Sequence, residues 1–431
     1  MIRNKLKSIS ISILVIVTFL LIGSTASYAK NLPFHGFVET SIGGRYDTSS
    51  NVNNLSDDLL LSEVRAQLEY WNALSSEAEF QVTTDIVSDS IRDEADIKLR
   101  EAYIWAYPSR NFEIKAGRQV LTWGTGDSLF INDLFPKDRK SYFLGRDEEY
   151  LKAPSDSIKF SIFPKGTIVD LVWTPVFESD RYIDGERLAY YNKDEDEIML
   201  KDFSGVVNDP EKDWENGELA LRVKKNYHGN EIAFYGYRGF HKQPNPSSVG
   251  GKTLEFSRLN AYGGSWRNLF LGGITNIELG YYDSVDDPDG EKTNVPNSYL
   301  KGLVGYKRDL GNDLTIGMQY FLEKMQDYDR YEKNYLNDSP NKEEYIKEEN
   351  RDVVTLRIIK LLNMQTVKLD LFTYYSPADE DGYFKPKVSY DWTDNINLTL
   401  GGNIFYGDQD YTRLGQFEEN SNIYFRMRYS Y

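Results

Sequence analysis

Residues 60–70 read Leu-Leu-Ser-Glu-Val-Arg-Ala-Gln-Leu-Glu-Tyr, so that two kinds of side chain alternate along the segment. One face carries apolar, small and aromatic side chains, and the other carries charged and polar side chains apart from Leu61. A period of two residues is typical of a β-strand with one apolar and one polar face. The same period recurs at residues 78–86, 158–162, 219–223, 279–281, 300–306, 314–322, 354–358, 367–371 and 396–406.

The connections between these segments alternate in length. Tight links at residues 227–230, 310–313, 362–363 and 391–395 suit hairpin turns. Long polar stretches lie at residues 178–217, 241–253, 283–297, 325–350 and 407–421. Short turns at one end and long loops at the other are typical of an outer-membrane barrel. We therefore predict an all-β fold, a single antiparallel transmembrane β-barrel with short periplasmic turns and long acidic extracellular loops. Its length fits about 18 strands, and about 16 would also fit.

The chain ends in a segment of the same kind. Its odd-numbered residues from 423 to 431 are apolar or aromatic, and Arg426 and Arg428 lie on the opposite face. A closed barrel must pair this strand with the first one, near residues 34–46, because lipid tolerates no unsatisfied backbone edge. An aromatic terminal residue, here Tyr431, resembles the signal read by the outer-membrane assembly machinery. The alternative is an ordinary edge strand of a soluble β-protein.

The first 29 residues have the composition of a secretory signal. Arg3, Lys5 and Lys7 precede an apolar run at residues 9–22, and Ser27 and Ala29 put small residues at −3 and −1 of a cleavage site. The run is shorter than the roughly 20 apolar residues that span a membrane. We predict a cleaved signal peptide at residues 1–29 and the barrel at 30–431. Loss of the three cations would change the formal charge from −17 to −20.

The composition excludes several classes of function. The chain has no cysteine, which rules out disulfides, thiol catalysis, thiolate metal sites and covalent haem attachment. Its 32 Tyr and 22 Phe suit the aromatic girdles of a membrane barrel. Only His35, His228 and His241 could act as a histidine base, and no carboxylate pair stands out, so we predict no enzyme and no catalytic residue. No cofactor, metal site or nucleic-acid partner is expected.

The acidic residues are concentrated in the predicted loops at 178–217 and 325–350. A solvated surface that keeps the loops soluble is the favoured interpretation. Binding of divalent cations near lipid head groups is the alternative.

The polar faces of the predicted strands carry cations, most of them in the C-terminal half. We take as pore-lining candidates Arg222, Lys224, Lys301, Lys307, Arg357, Lys368, Lys385, Lys387, Arg426 and Arg428. A basic wall around a water-filled lumen would favour anions. Alternatively, these cations pair with lumen acids and only stiffen the wall. The N-terminal strands place acids such as Glu63 and Asp85 on their polar faces, so the lumen is predicted to have one acidic and one basic wall.

The most distinctive motif is Gly-Arg-Gln-Val-Leu-Thr-Trp-Gly-Thr-Gly-Asp at residues 117–127, preceded by Leu-Arg-Glu-Ala-Tyr at 99–103. This motif resembles the alginate-export-like family of outer-membrane β-barrel porins, and only this part of the chain carries the likeness. The resemblance implies a barrel that passes anionic or small polar solutes. It also implies that Arg118 and Gln119 lie on or near the pore wall. The loop at residues 128–155 is longer than the family pattern suggests.

Residues 130–140 are too apolar for an exposed loop. Folding of the loop at 128–155 into the barrel would explain this and would narrow the pore. Four charged residues could then help to select solutes: Asp133, Asp138, Arg139 and Lys140. Packing of the loop on the barrel rim is the alternative.

Together these features predict a passive channel of the bacterial outer membrane for small hydrophilic solutes, anions among them. The expected partners are outer-membrane lipids, the assembly machinery and small polar solutes. Two further classes remain open, a structural sheath or scaffold around an exported partner and a barrel-shaped enzyme.

Overall fold

The computed structural model of the protein describes residues 34–46, 59–192, 195–200, 205–247, 253–339 and 343–431. The predicted signal peptide lies outside the described residues. An 18-stranded antiparallel sheet dominates the fold. Its strands are β1 (Phe34–Arg45), β2 (Leu59–Ser75), β3 (Ala78–Asp89), β4 (Glu94–Ser109), β5 (Phe112–Val120), β6 (Pro154–Ile162), β7 (Thr167–Thr174), β8 (Glu218–Tyr227), β9 (Asn230–Phe240), β10 (Arg258–Phe270), β11 (Gly273–Ser284), β12 (Tyr299–Asp309), β13 (Leu314–Met325), β14 (Asn350–Leu362), β15 (Val367–Ser376), β16 (Asp381–Asp391), β17 (Ile396–Gly407) and β18 (Asn422–Ser430).

The sheet closes on itself. Each strand pairs with the next along the chain, and β18 pairs with β1 from Asn422 opposite Arg45 to Ser430 opposite Phe37. The predicted transmembrane barrel of 18 strands is confirmed, as is the pairing of the last strand with the first. Closure removes the sheet edges, whose unpaired backbone groups lipid cannot solvate.

The connections sort by length between the two ends of the barrel. Turns at the periplasmic end have two to four residues, for example His228 and Gly229 between β8 and β9. The extracellular end carries the long loops, but it also has two short connections at residues 90–93 and 377–380 that the sequence pattern did not indicate. The loops contain small paired strands at Tyr190–Asn192, Glu197–Met199, Val206–Asn208, Asn245–Pro246 and Thr253–Glu255.

Helical structure is confined to the connections. Helix α1 (Arg139–Leu144) follows β5, and helix α2 (Tyr328–Asp338) follows β13. Short 3-10 turns occupy Glu148–Leu151, Pro164–Gly166, Glu343–Tyr345 and Gly415–Asn420. None of the helices in the described part of the chain is long and apolar enough to cross a membrane.

The alternation of side chains puts apolar residues on the outer face. Val38, Ala66, Ile86 and Ile97 stand opposite one another in a row across β1, β2, β3 and β4. On β2 the residues that alternate with the apolar ones point into the barrel. One of them is Glu63, which is 5% exposed. Charged side chains are this well buried only because another part of the chain covers them from within.

Candidate functional site in the barrel interior

Residues 121–153, between β5 and β6, lie inside the barrel and are called the inserted segment. Ile131 and Leu144 on this segment are each 1% exposed. Trp123 and Phe135 pack in the same apolar cluster as Leu303 of β12, which faces the barrel interior. This packing accounts for the apolar composition of a stretch that would be costly to expose to water.

Local sequence explains how the segment turns inward. Gly117 has a φ of +128°, and a Cβ atom there would collide with the carbonyl oxygen of Ala102, so β5 approaches β4 closely only with glycine at this position. Helix α1 begins where the Asp138 side chain accepts a hydrogen bond from the amide of Ser141 at 2.8 Å. It ends at Gly145, whose left-handed φ of 83° allows a C-cap.

One side of the inserted segment is hydrogen-bonded to β11 and β13. Glu278 on β11 accepts bonds from the backbone amides of Thr125 and Gly126, the latter at 2.9 Å, and from Asn132 Nδ2 at 3.0 Å. Gln319 on β13 accepts from the amide of Asp127 at 2.7 Å and donates to its carbonyl at 2.8 Å. These side chains give the buried backbone of the segment the partners that it needs.

The acids of the inserted segment face the C-terminal strands. Glu148 accepts from Arg357 Nη2 at 3.1 Å and from Lys387 Nζ at 3.0 Å. Arg357 also donates to Asp127 at 3.1 Å. Burial alone would raise the pKa of Glu148, but Lys387 and the cations around it outweigh burial and hold this pKa at about 2. Two further pairs of the same kind join Arg426 to Asp147 at 3.1 Å and Arg428 to Glu149 at 3.0 Å.

The opposite side of the segment carries a cation toward the N-terminal strands. Arg146 donates to Glu63 on β2 from Nε at 2.8 Å and from Nη2 at 2.5 Å. Tyr150 donates to Asp85 on β3 at 3.2 Å. The inserted segment is therefore complementary to both walls, with acids toward the basic strands and Arg146 toward the acidic ones.

Asp133 and Asp138, proposed above as solute-selecting residues, are tied up within the segment and its neighbours. Asp133 is 4% exposed, accepts from Lys137 Nζ at 2.9 Å and from Thr122 Oγ1 at 2.8 Å, and pairs with Lys152. Burial lowers the pKa of Lys137 to about 8 despite the neighbouring carboxylate. Asp138 caps α1 and also accepts from the guanidinium of Arg181 at 3.0 Å.

Arg139 and Lys140, the two cations proposed with them, also have carboxylate partners. Arg139 Nε lies 3.3 Å from Asp180, and Lys140 Nζ lies 2.5 Å from Asp184. Both acids belong to the loop after β7, so these contacts join that loop to the inserted segment.

The predicted wall cations of the C-terminal half mostly have carboxylate partners, on a neighbouring strand for Arg222, Lys224 and Lys301 and on the same strand for Lys368. The ion pairs, with their N–O distances, are Arg222–Asp170 at 2.5 Å, Lys224–Glu231 at 3.1 Å, Lys301–Glu323 at 2.7 Å and Lys368–Asp370 at 3.5 Å. Lys307 is exposed at the periplasmic end and has no ion pair within the described ranges. Lys385 is 3% exposed, its Nζ lies 3.9 Å from the centre of the Tyr142 ring, and this Nζ makes no hydrogen bond in the described structure.

The two residues of the distinctive motif differ in their surroundings. Gln119 is fully buried and donates to the carbonyl of Ser157 at 3.0 Å, which makes it part of the wall structure. Arg118 lies at the upper end of β5, where it donates to the carbonyl of Leu99 at 3.0 Å and to Asp156 at 3.1 Å. Of this pair, only Arg118 borders open space.

A cavity of about 740 Å³ lies between the inserted segment and β2–β6. Eight acids line it together with the cations Arg65, Arg92, Lys98, Arg100, Arg118, Lys140, Arg146, Arg181 and Arg187. Sequence analysis singled out only Arg118 and Lys140 among these nine cations. Arg65, Lys98 and Arg100 lie on N-terminal strands, and Arg92, Arg146, Arg181 and Arg187 lie in connections between strands. The strand alternation around Lys98 was the signal that could have found that residue.

Two smaller cavities lie on the other side of the inserted segment. One of about 130 Å³ is lined by Glu323 and by four cations, Arg139, Lys301, Arg351 and Arg413. The other, of about 370 Å³, is formed by extracellular loops and shares Arg139 and Arg413 with the first. Because they share these side chains, the two cavities lie against each other. Arg413 was missed by sequence analysis because its loop is mostly acidic.

The chain matches no family model and no curated protein in sequence. Its structure is similar to solved outer-membrane channels. OccAB3 from Acinetobacter baumannii has a TM-score of 0.55 at 8% identity, with 92% of this chain and 98% of that chain covered. OccAB4 from the same organism has a TM-score of 0.54 at 8% identity, covering 92% and 97%. OccD3 (OpdP) from Pseudomonas aeruginosa has a TM-score of 0.51 at 10% identity, covering 92% and 90%.

These likenesses show the fold, a β-barrel of the bacterial outer-membrane type. Together with the closed sheet and its apolar outer face, they indicate the outer membrane as the location of the chain. They do not extend to the alginate-export-like family suggested by residues 117–127.

Proposed function

We propose that the protein is an outer-membrane channel for small hydrophilic solutes with a preference for anions. The observation that carries this proposal is the charged cavity of about 740 Å³ that the inserted segment leaves open beside β2–β6. A lumen that is narrowed by a folded loop and lined by ionised side chains admits small hydrated solutes and excludes large or apolar ones.

The preference for anions is supported by the cavities on the other side of the inserted segment. The cavity of about 130 Å³ has four cations and one acid in its lining. Three of these cations are ion-paired, Arg139 with Asp180, Lys301 with Glu323 and Arg351 with Asp379. Arg413, which it shares with the extracellular cavity, is exposed and has no ion pair within the described residues. Unpaired cations in a confined space attract anions more strongly than paired ones, because no fixed acid cancels their field.

Purified protein in a planar bilayer tests the proposal. We expect stepwise, ohmic conductance and a reversal potential in a salt gradient that shows anion preference. The Arg413→Gln variant should reduce that preference, whereas Arg238→Gln, a change of an exposed arginine at the outer end of β9, should leave it unchanged. Absence of conductance would refute the channel, and cation preference of the unmodified protein would refute the anion assignment.

The inserted segment also bears on the alternative of a sheath around an exported partner. A sheath needs an empty lumen, whereas contacts of this segment reach strands from β2 to β18 around the barrel. A barrel enzyme would need a base beside a nucleophile. His241 Nε2 has no hydrogen-bond partner among the described residues, and His228 is exposed in the turn before β9, so neither is placed beside a nucleophile there.

Three finer assignments belong to the same proposal. Cleavage after Ala29 is tested by mass spectrometry of the mature N-terminus. The alginate-export-like resemblance at residues 117–127 predicts that acidic oligosaccharides block the conductance, and no blockade would contradict it. Recognition of Tyr431 by the assembly machinery predicts that Tyr431→Ser impairs assembly in cells. Refolding of the purified chain should be unaffected, because the backbone N–H of residue 431, which donates to the Gly36 carbonyl at 3.1 Å, is retained.

A further inference from the structure

Strand β5 ends well below the top of its neighbour β4. The ladder between the two strands reaches only the pair Ala102–Arg118, while β4 continues up to Glu94, paired with β3 alone. The links above that pair come from two side chains. Arg118 donates to the carbonyl of Leu99 at 3.0 Å, and Glu101 accepts from the amide of Val120 at 3.1 Å. The wall therefore has a gap beside the upper part of β4.

This gap borders the apolar outer face of the barrel near the extracellular end of β4. Ile97 continues the row formed by Val38, Ala66 and Ile86, and it is 70% exposed. A residue of β5 would be needed to continue this row beside Ile97. Strand β5 ends at Val120, however, and the chain beyond it lies inside the barrel. Backbone groups without partners are tolerated at membrane depth only where they line a water-filled space. The gap is thus expected to be hydrated from the barrel interior.

The cavity of about 740 Å³ passes through this gap. Its lining includes Glu63 and Asp85, which point into the barrel, and also Leu99 and Asp156. Leu99 stands opposite Thr84 on the outer face and is 47% exposed. Asp156 shares its face of β6 with the apolar residues Ile158, Phe160 and Ile162. One continuous space thus has both inner-face and outer-face residues in its walls.

The rim of the gap combines apolar and cationic side chains. Ile97 and Leu99 face outward, and Arg100 and Arg118 lie next to them. The Arg100 guanidinium donates to the carbonyl of Glu149 at 2.6 Å and lies 4.5 Å from the centre of the Tyr150 ring. It has no carboxylate within ion-pair distance in the described ranges. An arginine held in this way keeps donors available for an anion.

From these observations we propose that the gap between β4 and β5 is a side port that binds an amphiphile from the outer leaflet. Arg100 holds its anionic head group, a phosphate or a carboxylate, while its alkyl chain lies along Ile97 and Leu99 in the lipid. Arg118, which is ion-paired with Asp156 and Glu178, adds a second guanidinium beside the head group. This role is additional to conduction of hydrophilic solutes, because the ligand enters sideways rather than through the extracellular mouth.

The absence of cysteine allows a direct test in lipid vesicles. A fluorophore on a Leu99→Cys variant reports on the port. A fluorophore on Val304→Cys serves as the matched control, because Val304 is 51% exposed on the outer face of β12, far from β4 around the barrel. The probe is 12-bromododecyl phosphate, whose bromine quenches nearby fluorophores. We expect saturable quenching at the Leu99→Cys site and only a linear, partition-driven decrease at the Val304→Cys site.

Charge variants identify the head-group site. With the fluorophore at position 99, the Arg100→Gln and Arg118→Gln changes together should raise the half-saturating probe concentration by about tenfold or more, equivalent to about 1.4 kcal/mol or more. The Arg238→Gln control should leave that concentration unchanged. Inorganic phosphate should compete only at far higher concentration, because it lacks the alkyl chain.

Three results would overturn the side port. The first is equal quenching at both fluorophore sites. The second is competition by inorganic phosphate at the same concentration as the probe, which would show that the site binds free anions and gains nothing from the alkyl chain. The third is saturation that does not depend on Arg100 and Arg118. Conductance of the same preparations separates the side port from the channel. A barrel that binds the probe but does not conduct would refute only the channel.

Discussion

Replacement of Asp133 by Asn should release the inserted segment from the barrel interior. The substitution leaves the ammonium group of Lys137, which is 2% exposed, without its carboxylate partner. Removal of one member of a buried ion pair costs about 3–5 kcal/mol. The loss falls on docking of the segment rather than on the 18-stranded sheet, because both residues lie within residues 121–153.

The upper limit of this cost follows from the chemistry of lysine. In the docked Asp133→Asn variant, Lys137 can avoid an unpaired charge by losing its proton. Deprotonation of a lysine with an ordinary pKa near 10.4 costs about 4.6 kcal/mol at pH 7 and about 1.9 kcal/mol at pH 9. The lysine is then neutral when docked and charged when released. Docking of the Asp133→Asn variant should therefore strengthen as the pH rises from 7 to 9.

Single-channel recording and limited proteolysis measure this release. We expect larger conductance and new cleavage within residues 121–153 at pH 7, with both effects reduced at pH 9. Adding Lys137→Met to the variant should restore docking, because it removes the unpaired charge. Asp394→Asn, in an exposed periplasmic turn, is the control. Unchanged conductance and cleavage at pH 7 would refute the assignment of Asp133 as an anchor.

Three further predictions concern the barrel wall and the contacts of Glu148. Leu356→Arg on the outer face of β14 should lower the free energy of unfolding by about 2–4 kcal/mol if residue 356 lies near mid-membrane, and it should reduce the folded, heat-modifiable band on gels. Normal folding of this variant would show that Leu356 faces the barrel interior instead. Because the cations around Glu148 lower its pKa from 4.5 to about 2, its contacts with Arg357 and Lys387 should persist above pH 4.5 and be lost as the pH falls toward 2. A conductance increase already at pH 6 would contradict a role of these contacts in holding the inserted segment. Gly117→Ala should destabilise the barrel by about 1–3 kcal/mol in a denaturant titration, whereas Gly236→Ala, with open space around it, should not.

The architecture was predictable from sequence because lipid imposes a simple rule on every strand. Residues on the outer face must be apolar at every second position, as residues 60–70 are, and closure requires the last strand to meet the first. The short extracellular connections at 90–93 and 377–380 escaped this reasoning. Loop length at that end depends on which neighbouring loops pack together, and the pattern within a strand carries no information about such packing.

The interior was less predictable because it depends on contacts between distant parts of the chain. Alternation predicted Arg357 and Lys387 on the polar faces of their strands, but it could not show that Glu148 of the inserted segment contacts both. The apolar composition of residues 130–140 pointed to insertion, yet the depth of insertion depends on partners such as Glu278. For the same reason, sequence alone did not show that open space remains beside β2–β6.

The position of the inserted segment also has a consequence for assembly of the barrel. The segment touches both sides of the junction between the first and last strands, through Arg146 with Glu63 on β2 and through Asp147 with Arg426 on β18. Arg428 of β18 additionally bonds to Glu39 of β1 at 2.8 Å. Docking of the segment should therefore speed the sealing of the barrel during assembly, whereas the finished barrel is held closed by the backbone ladder between β18 and β1.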